Sequence, residues 1–280
     1  MSTRHPGKSR RRPARLPQLE GLEDRLCLTS SVELFGDGTL FISGDNGRDA
    51  FEIADGGQGT VGVIGNFDVF GDGAYGDSFG TYDALFDGVS RIVVETYGGN
   101  DFVEYYLTDP LLVPRAVSLD LGGGNDRAVV TLGTVQGVDL FVDVDLGRGN
   151  DRFDGSLSGD LLDASIQFDV DGSAGNDDIG VVADDLYLDD FSLLDMVLFG
   201  GAGNDLVTAD LEFAPSSTGR VVVSVLGAGG NDSLGLNVYG VENVADGSSA
   251  YLDGGPGRDR FGATPEVSVV NVEPTRGRRR

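Results

Sequence analysis

The sequence repeats a short glycine-rich turn that ends in an aspartate, at intervals of 25 to 28 residues from Asp101 onward. One full copy runs through Gly200, Gly201, Gly203, Asn204 and Asp205, and a second through Gly254, Gly255, Gly257 and Asp259. Partial copies end at Asp49, Asp101, Asp126, Asp151, Asp177 and Asp232. These eight residues are called the motif aspartates below. A fixed turn at a nearly constant interval is typical of a solenoid, in which each unit stacks on the next.

Apolar residues keep the same register as the motif aspartates. The positions nine before, seven before and two after each aspartate are apolar in all eight copies. Alternation of this kind is typical of a strand with one buried face. The position seven before is occupied by Ile42, Val94, Leu119, Val144, Val170, Leu198, Val225 and Leu252. Because one unit is too small to bury its own apolar face, we expect these residues to form one interior column.

The repeat predicts an all-β fold, a right-handed parallel β-solenoid (β-helix or β-roll) of about nine rungs with one glycine-rich turn each. The solenoid is predicted to span residues 31–275, with the turns stacked on one edge. Residues 1–30 are expected to form a basic disordered tail plus an export- or sorting-like motif, and residues 276–280 a basic tail.

Two features fall outside the regular repeat. The 52 residues between Asp49 and Asp101 equal two units. Residues 54–90 are therefore either a degenerate rung, with a turn near Asp77, or a surface loop. Gly36-Asp37-Gly38 lies between two apolar runs and predicts a hairpin turn.

The chain is strongly acidic, and its charge is unevenly distributed. The formal net charge is −26, but residues 1–30 carry seven Lys/Arg and three acidic residues, and residues 276–280 carry four Arg. Residues 31–275 therefore hold nine basic and 43 acidic residues, 35 of them Asp. Such a surface disfavours nucleic acid as a partner. Solubility accounts for acidity in general, but it does not explain aspartates in register.

Composition also limits the chemistry that the solenoid can perform. Cys27 is the only cysteine and His5 the only histidine, so the solenoid has neither a disulfide framework nor His- or Cys-based catalysis. No apolar run is long enough for a transmembrane helix. A glycan-cleaving enzyme needs paired carboxylates or a carboxylate with Arg or Lys. The periodic acids single out no pair, and Arg91, Arg115 and Arg220 are scattered.

The turns at 200–208 and 254–262 resemble the nonapeptide of the RTX, or haemolysin-type, calcium-binding repeat family. With the partial copies, the resemblance spans about residues 40–263. In that family the turns stack along a β-roll, and calcium lies between turns, bound by the motif aspartate and by carbonyl groups of the glycine-rich loop. The resemblance implies Ca2+ as the cofactor. It nominates as the metal site Asp205, Asp259, Asp126, Asp151, Asp177, Asp232, Asp101 and Asp49, with Gly200, Gly201, Gly203, Asn204, Gly254, Gly255 and Gly257.

This chain departs from the family pattern in one respect. Family members carry the motif back to back, which gives two calcium turns in each short rung, whereas this chain has one motif in each longer rung. The turns that end at Asp101 and Asp49 also lack one or more glycines. For each Asn-Asp pair a plain turn is the alternative, since both residues favour turns and left-handed backbone.

A second acidic column accompanies the first. Six residues before the motif aspartate stand Glu95, Asp120, Asp145, Asp171 and Asp253. We expect them to face outward at the strand end. Stacked strands are ~4.8 Å apart, where two like charges repel by ~0.9 kcal/mol even at the dielectric constant of water. Divalent cations would remove this repulsion, and screening by monovalent salt is the alternative.

A short N-terminal segment bears on localisation. Residues 19–29 resemble the L-E-P-L-E-x-R-x-L-L-S signature of bacterial surface and secreted proteins, with Gly21 in place of Pro and Cys27 in the Leu-Leu region. The resemblance implies an extracellular or cell-surface location. No ordinary signal peptide is visible, because no apolar segment follows the basic stretch.

The sequence thus favours a non-catalytic calcium-binding repeat protein, secreted or at the cell surface. We expect a structural or adhesive role and calcium-dependent folding, with calcium ions and a cell-surface or matrix polysaccharide or protein as candidate partners. Two alternatives remain open: a β-helix enzyme acting on polysaccharide, and a structural solenoid that folds without metal. Calcium titration and assays on acidic glycans distinguish the three.

Overall fold

The computed structural model describes residues 30–65, 68–71, 84–241, 244–265 and 267–270. Within these ranges the protein consists of strands and turns, without a helix. The strands are β1 (Ser31–Leu34), β2 (Thr39–Ser43), β3 (Ala50–Asp55), β4 (Val61–Gly65), β5 (Asp68–Gly71), β6 (Ala84–Phe86), β7 (Arg91–Glu95), β8 (Phe102–Leu107), β9 (Arg115–Asp120), β10 (Arg127–Leu132), β11 (Val135–Gln136), β12 (Asp139–Asp145), β13 (Arg152–Leu157), β14 (Asp160–Leu162), β15 (Ser165–Asp171), β16 (Asp178–Leu188), β17 (Leu193–Phe199), β18 (Leu206–Phe213), β19 (Arg220–Leu226), β20 (Ser233–Tyr239), β21 (Ser249–Asp253), β22 (Arg260–Ala263) and β23 (Ser268–Val270).

Two long sheets form a parallel β-solenoid. In sheet A the strand order is β23-β21-β19-β17-β15-β12-β9-β7-β2-β1-β5, and in sheet B it is β22-β20-β18-β16-β13-β10-β8-β3-β4-β6. Each rung takes one strand from sheet A and the next from sheet B. The glycine-rich turn between them lies at what we call the motif edge. The chain then returns to sheet A through a more variable connection at the return edge, where β14 pairs with β11 and β16.

The interior column predicted from the apolar register is confirmed. Val144 pairs with Val170, Val170 with Leu198, and Leu198 with Val225, and all four side chains are buried. They belong to one core that runs along the solenoid between the two sheets. The alternation of apolar and polar residues thus positions the strands, and the strands position the turns.

The described residues between Asp49 and Asp101 add no rung, so the solenoid has fewer turns than the nine rungs that the spacing predicted. β2 pairs directly with β7, and β3 directly with β8. The described strands in this interval instead extend the N-terminal end of the two sheets. After β3 the chain reverses at Gly57, which has a φ of 72°, into β4; β3–β4 and β4–β6 are antiparallel, and β5 pairs with β1. The turn predicted near Asp77 lies outside the described residues.

The predicted hairpin at Gly36-Asp37-Gly38 is confirmed, since β1 and β2 pair antiparallel and Gly38 has a φ of 86°. The tails predicted at 1–30 and 276–280 lie outside the described residues, except for Ser30. In the part of the chain that is described, no helix is long and apolar enough to span a membrane.

Candidate metal site: the buried aspartate column

The glycine-rich turns lie directly over one another at the motif edge. Parallel backbone bridges join Gly123 to Arg148, Arg148 to Ala174, Ala174 to Ala202, and Ala202 to Gly229. The flanking strands pair in the same register, so equivalent residues of successive turns are neighbours. The motif aspartates therefore form a continuous column along the solenoid.

Close stacking explains the glycine two residues before each motif aspartate from Asp101 onward. A Cβ added to Gly203 would lie 1.4 Å from the carbonyl oxygen of Gly175. A Cβ added to Gly230 would lie 1.3 Å from the carbonyl oxygen of Gly203, and Gly257 is blocked in the same way by Gly230 at 1.5 Å. No L side chain fits at this position, so these glycines are required by the packing of one turn on the next.

The glycine four residues before the aspartate has a different role. Gly201 and Gly255 have φ values of 92° and 74°, in the left-handed region that favours glycine. In other turns Tyr97, Ser173 and Ala228 adopt the same conformation, with φ of 63°, 59° and 66°. From Asp101 onward the position has left-handed backbone in every copy, at a modest conformational cost where a side chain is present.

One carboxylate oxygen of each motif aspartate holds two rungs together. The backbone N–H of Asp177 donates to Oδ1 of Asp205 at 2.9 Å, and that of Asp205 donates to Oδ1 of Asp232 at 2.9 Å. The ladder continues in both directions from Asp49 to Asp259, with distances of 2.7–2.9 Å. All eight aspartates are buried, with 1–6% of their surface exposed.

The asparagines form a parallel ladder on the exposed side of the turns. Oδ1 of Asn204 accepts hydrogen bonds from the backbone N–H of Asn231 at 3.0 Å and from its Nδ2 at 2.9 Å. Asn204 donates to Oδ1 of Asn176 in the same way. Its side chain therefore serves the next rung through hydrogen bonds, a use that the metal-ligand interpretation of the sequence did not foresee.

The second carboxylate oxygen of the motif aspartates lacks a partner. Oδ2 is buried and makes no hydrogen bond within the described residues in Asp101, Asp126, Asp151, Asp177, Asp205, Asp232 and Asp259. Asp49, at the end of the column, differs because its Oδ2 accepts the N–H of Asp45 at 2.8 Å and its Oδ1 accepts the Ser30 hydroxyl at 2.5 Å. A buried acceptor without a donor is unfavourable. The column of Oδ2 atoms therefore calls for protons or cations.

The pKa values of these carboxyl groups also indicate that the buried oxygens favour a bound proton or cation. Burial raises the pKa of Asp126 and Asp205 to about 6 and that of Asp177 to about 7. The hydrogen bond from the preceding rung opposes this rise, and neighbouring motif aspartates add to it. The pKa values of Asp151 and Asp232 are raised for the same primary reason. Negative charge on this column is thus disfavoured without a compensating ion.

The site offers oxygen ligands of the kind that calcium prefers, namely carboxylate and carbonyl groups. Gly200 packs closely beside Oδ2 of Asp205, because a Cβ added to Gly200 would be 2.9 Å from that oxygen and 3.0 Å from the carbonyl oxygen of Gly227. The orphaned Oδ2 and the nearby carbonyl oxygen are donor types that a hard cation binds. Within the described residues no three Asp, Glu, His or Cys side chains converge as a metal cluster, so a cation would rely on backbone carbonyls as well.

The predicted second acidic column is present and faces outward. Glu95, Asp120, Asp145 and Asp171 stand opposite one another on four successive strands of sheet A. Burial raises the pKa of Asp120, and the charges of Asp145 and Glu95 raise it further. Oδ1 of Asp171 also accepts the N–H of Ser173 at 2.7 Å, which helps to close the turn. Phe199 and Leu226 take the next two equivalent positions and interrupt the column, so Asp253, which was predicted as part of it, stands apart from the other four.

A buried ion pair at the return edge was not predicted. Oδ2 of Asp55 lies 2.6 Å from Nε of Arg115 and accepts the Tyr105 hydroxyl at 3.0 Å. Oδ1 accepts Nη2 of Arg115 at 3.1 Å and the N–H of Gly57 at 2.8 Å, and Nη1 of Arg115 donates to the carbonyl group of Val89. The sequence did contain a signal for this pair in the alternation of buried and exposed positions along the strands. Arg115 is in phase with the buried residues of β9, and Asp55 is in phase with those of β3.

Comparisons with known proteins provide no assignment for this chain: no family model matches it, and no match was found among curated proteins or solved structures. The structure does bring the nominated metal-site residues together at one edge. These residues have three different roles. Seven of the aspartates have a carboxylate oxygen without a hydrogen-bond partner in the described residues. The glycines allow close stacking or left-handed backbone, and the asparagines form hydrogen bonds with one another. Inferences about function therefore depend on this geometry.

Proposed function

We propose that the protein is a non-catalytic structural repeat protein that binds calcium along its buried aspartate column. The observation that carries the proposal is the set of seven buried Oδ2 atoms without a hydrogen-bond partner in the described residues. Calcium supplies the positive charge that these oxygens lack. The Oδ1–N–H ladder of the chain holds successive carboxylates in register.

Calcium binding would be coupled to folding. The ladder exists only when two rungs are stacked, so the unfolded chain offers no equivalent site, and the binding free energy adds to the stability of the folded state. The net negative charge of residues 31–275 favours an expanded chain without cations. A secreted or cell-surface location, where calcium is plentiful, and a structural or adhesive role with a surface or matrix partner are part of this proposal.

The arrangement of the arginines supports a non-catalytic role. Arg115 is buried in the ion pair with Asp55 and cannot reach a substrate. Arg91 and Arg220 are exposed and lie at the first residues of β7 and β19, at the opposite end of these strands from the motif turns. The motif carboxylates are themselves 1–6% exposed, so none of them is available to a polysaccharide at the surface.

A second candidate is a structural solenoid that folds without metal. The observation that favours it is the complete Oδ1 ladder, in which hydrogen bonds to backbone N–H groups join each rung to the next from Asp49 to Asp259. In this case the carboxyl groups would carry protons rather than balance a cation. The two candidates differ in what neutralises the column.

Thermal unfolding of the full chain, followed by circular dichroism at pH 7.5, tests the proposal. We expect the melting temperature to rise steeply from EDTA to excess calcium, because each site at a concentration 100 times its Kd adds about 2.7 kcal/mol. Magnesium is the matched control for divalent charge, and NaCl at equal ionic strength controls for screening. Equal melting temperatures in EDTA and calcium would favour the metal-free candidate, and an equal rise in NaCl would assign the effect to screening.

A further inference from the structure

An open groove of about 670 Å³ follows the motif edge, where the outer face of sheet A meets the turns. Asp120, Asp145 and Asp171 line it on three successive rungs. Tyr97 belongs to the first rung that the groove spans and Phe199 to the last. The motif aspartates do not line this groove, so it is distinct from the buried column.

The acidic side chains along the groove are held in place but lack counter-charges. They form the outer acidic column, which consists of Glu95, Asp120, Asp145 and Asp171. Oδ1 of Asp145 accepts the N–H of Gly147 at 3.0 Å and the Ser173 hydroxyl at 2.8 Å. Oε2 of Glu95 accepts the Tyr97 hydroxyl at 3.0 Å. Within the described residues no Lys or Arg forms an ion pair with the column, so its negative charge is unbalanced.

Two outward aspartates of sheet B, in contrast, have arginine partners. Asp154 lies 2.9 Å from Nη2 of Arg127 and 2.7 Å from Nη2 of Arg152. Asp178 lies 3.3 Å from Nη1 of Arg152. Arg148 lines the groove on sheet A, but it forms no ion pair in the part of the chain that is described. The described chain thus supplies cations to one face of these rungs and not to the other.

The chain carries a strongly basic segment before the first strand. Residues 1–18 contain no acidic residue and six basic ones, namely Arg4, Lys8, Arg10, Arg11, Arg12 and Arg15. They lie outside the described residues. Their charge is opposite to that of the groove, which makes them the counter-charge that the chain itself can offer.

The described chain enters sheet A in the same row as the outer acidic column. Ser31 pairs with Ser43, and Ser43 pairs with Glu95, the first member of the column. Five strand spacings of ~4.8 Å separate Ser31 from Asp171, or about 24 Å in all. The residues between the basic segment and Ser31 can span ~40 Å when extended. The basic segment can therefore reach every member of the column.

We infer that residues 4–15 bind along the groove, with their arginine and lysine side chains paired to the outer acidic column. The segment is joined to the solenoid in the row of the column, so its effective concentration at the groove is high. Individually weak, exposed ion pairs then suffice to hold it. The bound segment offsets the repulsion between successive carboxylates. This interaction goes beyond the proposed function, since it involves neither calcium nor the buried motif aspartates.

The only lysine of the chain, Lys8, allows the position of the segment to be mapped in the full chain. A water-soluble carbodiimide joins an amine to a carboxylate that it contacts, and mass spectrometry of the digested protein identifies the pair. In EDTA at low salt, Lys8 should be joined to the outer acidic column within one molecule. In NaCl at about 1 M, where the Debye length falls to ~3 Å, these products should disappear. Coupling of Lys8 to acidic residues all over the surface, or to a second molecule, would overturn the inference.

The charge of the segment is tested with the variant R10Q/R11Q/R12Q, which keeps Lys8 and every carboxylate of the groove. Coupling of Lys8 to the column should fall about ten-fold, because three exposed ion pairs are lost. The matched control is R278Q/R279Q/R280Q, which removes the same charge near the other end of the chain and should leave the coupling unchanged. A fall in neither variant, or an equal fall in both, would show that the segment makes no specific contact with the groove.

Discussion

Asp55 and the motif aspartates are buried to a similar degree but in opposite electrostatic settings. Asp55 is 0% exposed, and both of its oxygens have partners, which include the guanidinium group of Arg115. Asp205 is 2% exposed and has one partnered oxygen and one orphan. The chain thus neutralises the carboxylate at the return edge with its own cation and leaves the carboxylates at the motif edge to be neutralised from solution.

This difference determines where the solenoid responds to its surroundings. A buried ion pair with complete hydrogen bonding carries its own counter-charge and needs none from solution. A stack of carboxylates without counter-charges changes its free energy whenever protons or cations become available. Sensitivity to calcium and to pH should therefore be confined to the motif edge.

The largest effect should come from removing the cation of the self-contained pair. Arg115→Met leaves Asp55 buried and unpaired, which should lower the free energy of unfolding by about 3–5 kcal/mol. Urea denaturation in the presence of calcium measures it. Arg127→Met is the control, because its ion pair with Asp154 is exposed and should contribute at most about 1 kcal/mol. Equal effects of the two substitutions would contradict the contrast between a buried and an exposed pair.

The next largest effect should be a dependence on pH in EDTA. Because burial raises the pKa of Asp126, Asp177 and Asp205 above the unfolded value, the folded chain binds more protons than the unfolded chain between about pH 4 and 7. Stability is then greatest below the unfolded pKa and is lost as pH rises through about 6 to 7. We expect the melting temperature to fall over this range of pH.

Calcium should flatten this pH profile, because the ion replaces the proton as the neutralising charge. Asp205→Asn should flatten it in part, since one titrating group is removed. A melting temperature in EDTA that rises from pH 5 to pH 7.5 would show that the motif carboxyl groups do not govern stability in this range.

The sequence was sufficient to predict the parallel solenoid, the interior columns and the common edge of the motif turns, because each depends on a period that the residues repeat. Val144, Val170, Leu198 and Val225 illustrate this: equal spacing from the motif turn places them opposite one another. The predicted handedness, calcium binding and localisation stay predictions.

Features that depend on a single contact were not predictable from the period. The antiparallel segment after β3 begins where Gly57 reverses the chain. It was not predicted, because its length makes the spacing from Asp49 to Asp101 equal to two repeats. The ion pair of Asp55 with Arg115 joins residues 60 positions apart. The motif itself was interpreted as a set of metal ligands, whereas much of it serves the stacking: the glycines avoid a clash, and Oδ1 accepts the N–H of the preceding rung.

A smaller effect, of opposite sign at the two edges, is expected for Asp→Asn substitutions in EDTA at pH 7.5. Asp205→Asn keeps an oxygen for the N–H of Asp177, removes a negative charge, and places an amide donor in the location of the orphaned Oδ2. We expect a gain of about 1 kcal/mol in the free energy of unfolding. Asp55→Asn removes the counter-charge of Arg115 and should destabilise the protein.

Asp205→Ala separates the charge of this residue from its hydrogen bond. It removes the same negative charge as Asp205→Asn but also deprives the Asp177 N–H of its acceptor, so we expect a loss of about 1–3 kcal/mol. Urea denaturation of both variants provides the comparison. If alanine and asparagine had the same effect, the Oδ1 ladder would contribute nothing measurable. In calcium, both variants should lose affinity for one ion.

The smallest effect is expected at the exposed asparagine ladder, which runs beside the buried column but is open to water. Asn204→Ala removes the acceptor for both donors of Asn231 and the amide donor to Asn176. Water can replace each of these partners, so the loss should be about 0.5–1 kcal/mol, similar in EDTA and in calcium. Thermal unfolding under both conditions measures it. A loss that appeared only in calcium would place Asn204 among the ion's ligands, and the separation of an outer hydrogen-bonded ladder from an inner ion-dependent one would then be wrong.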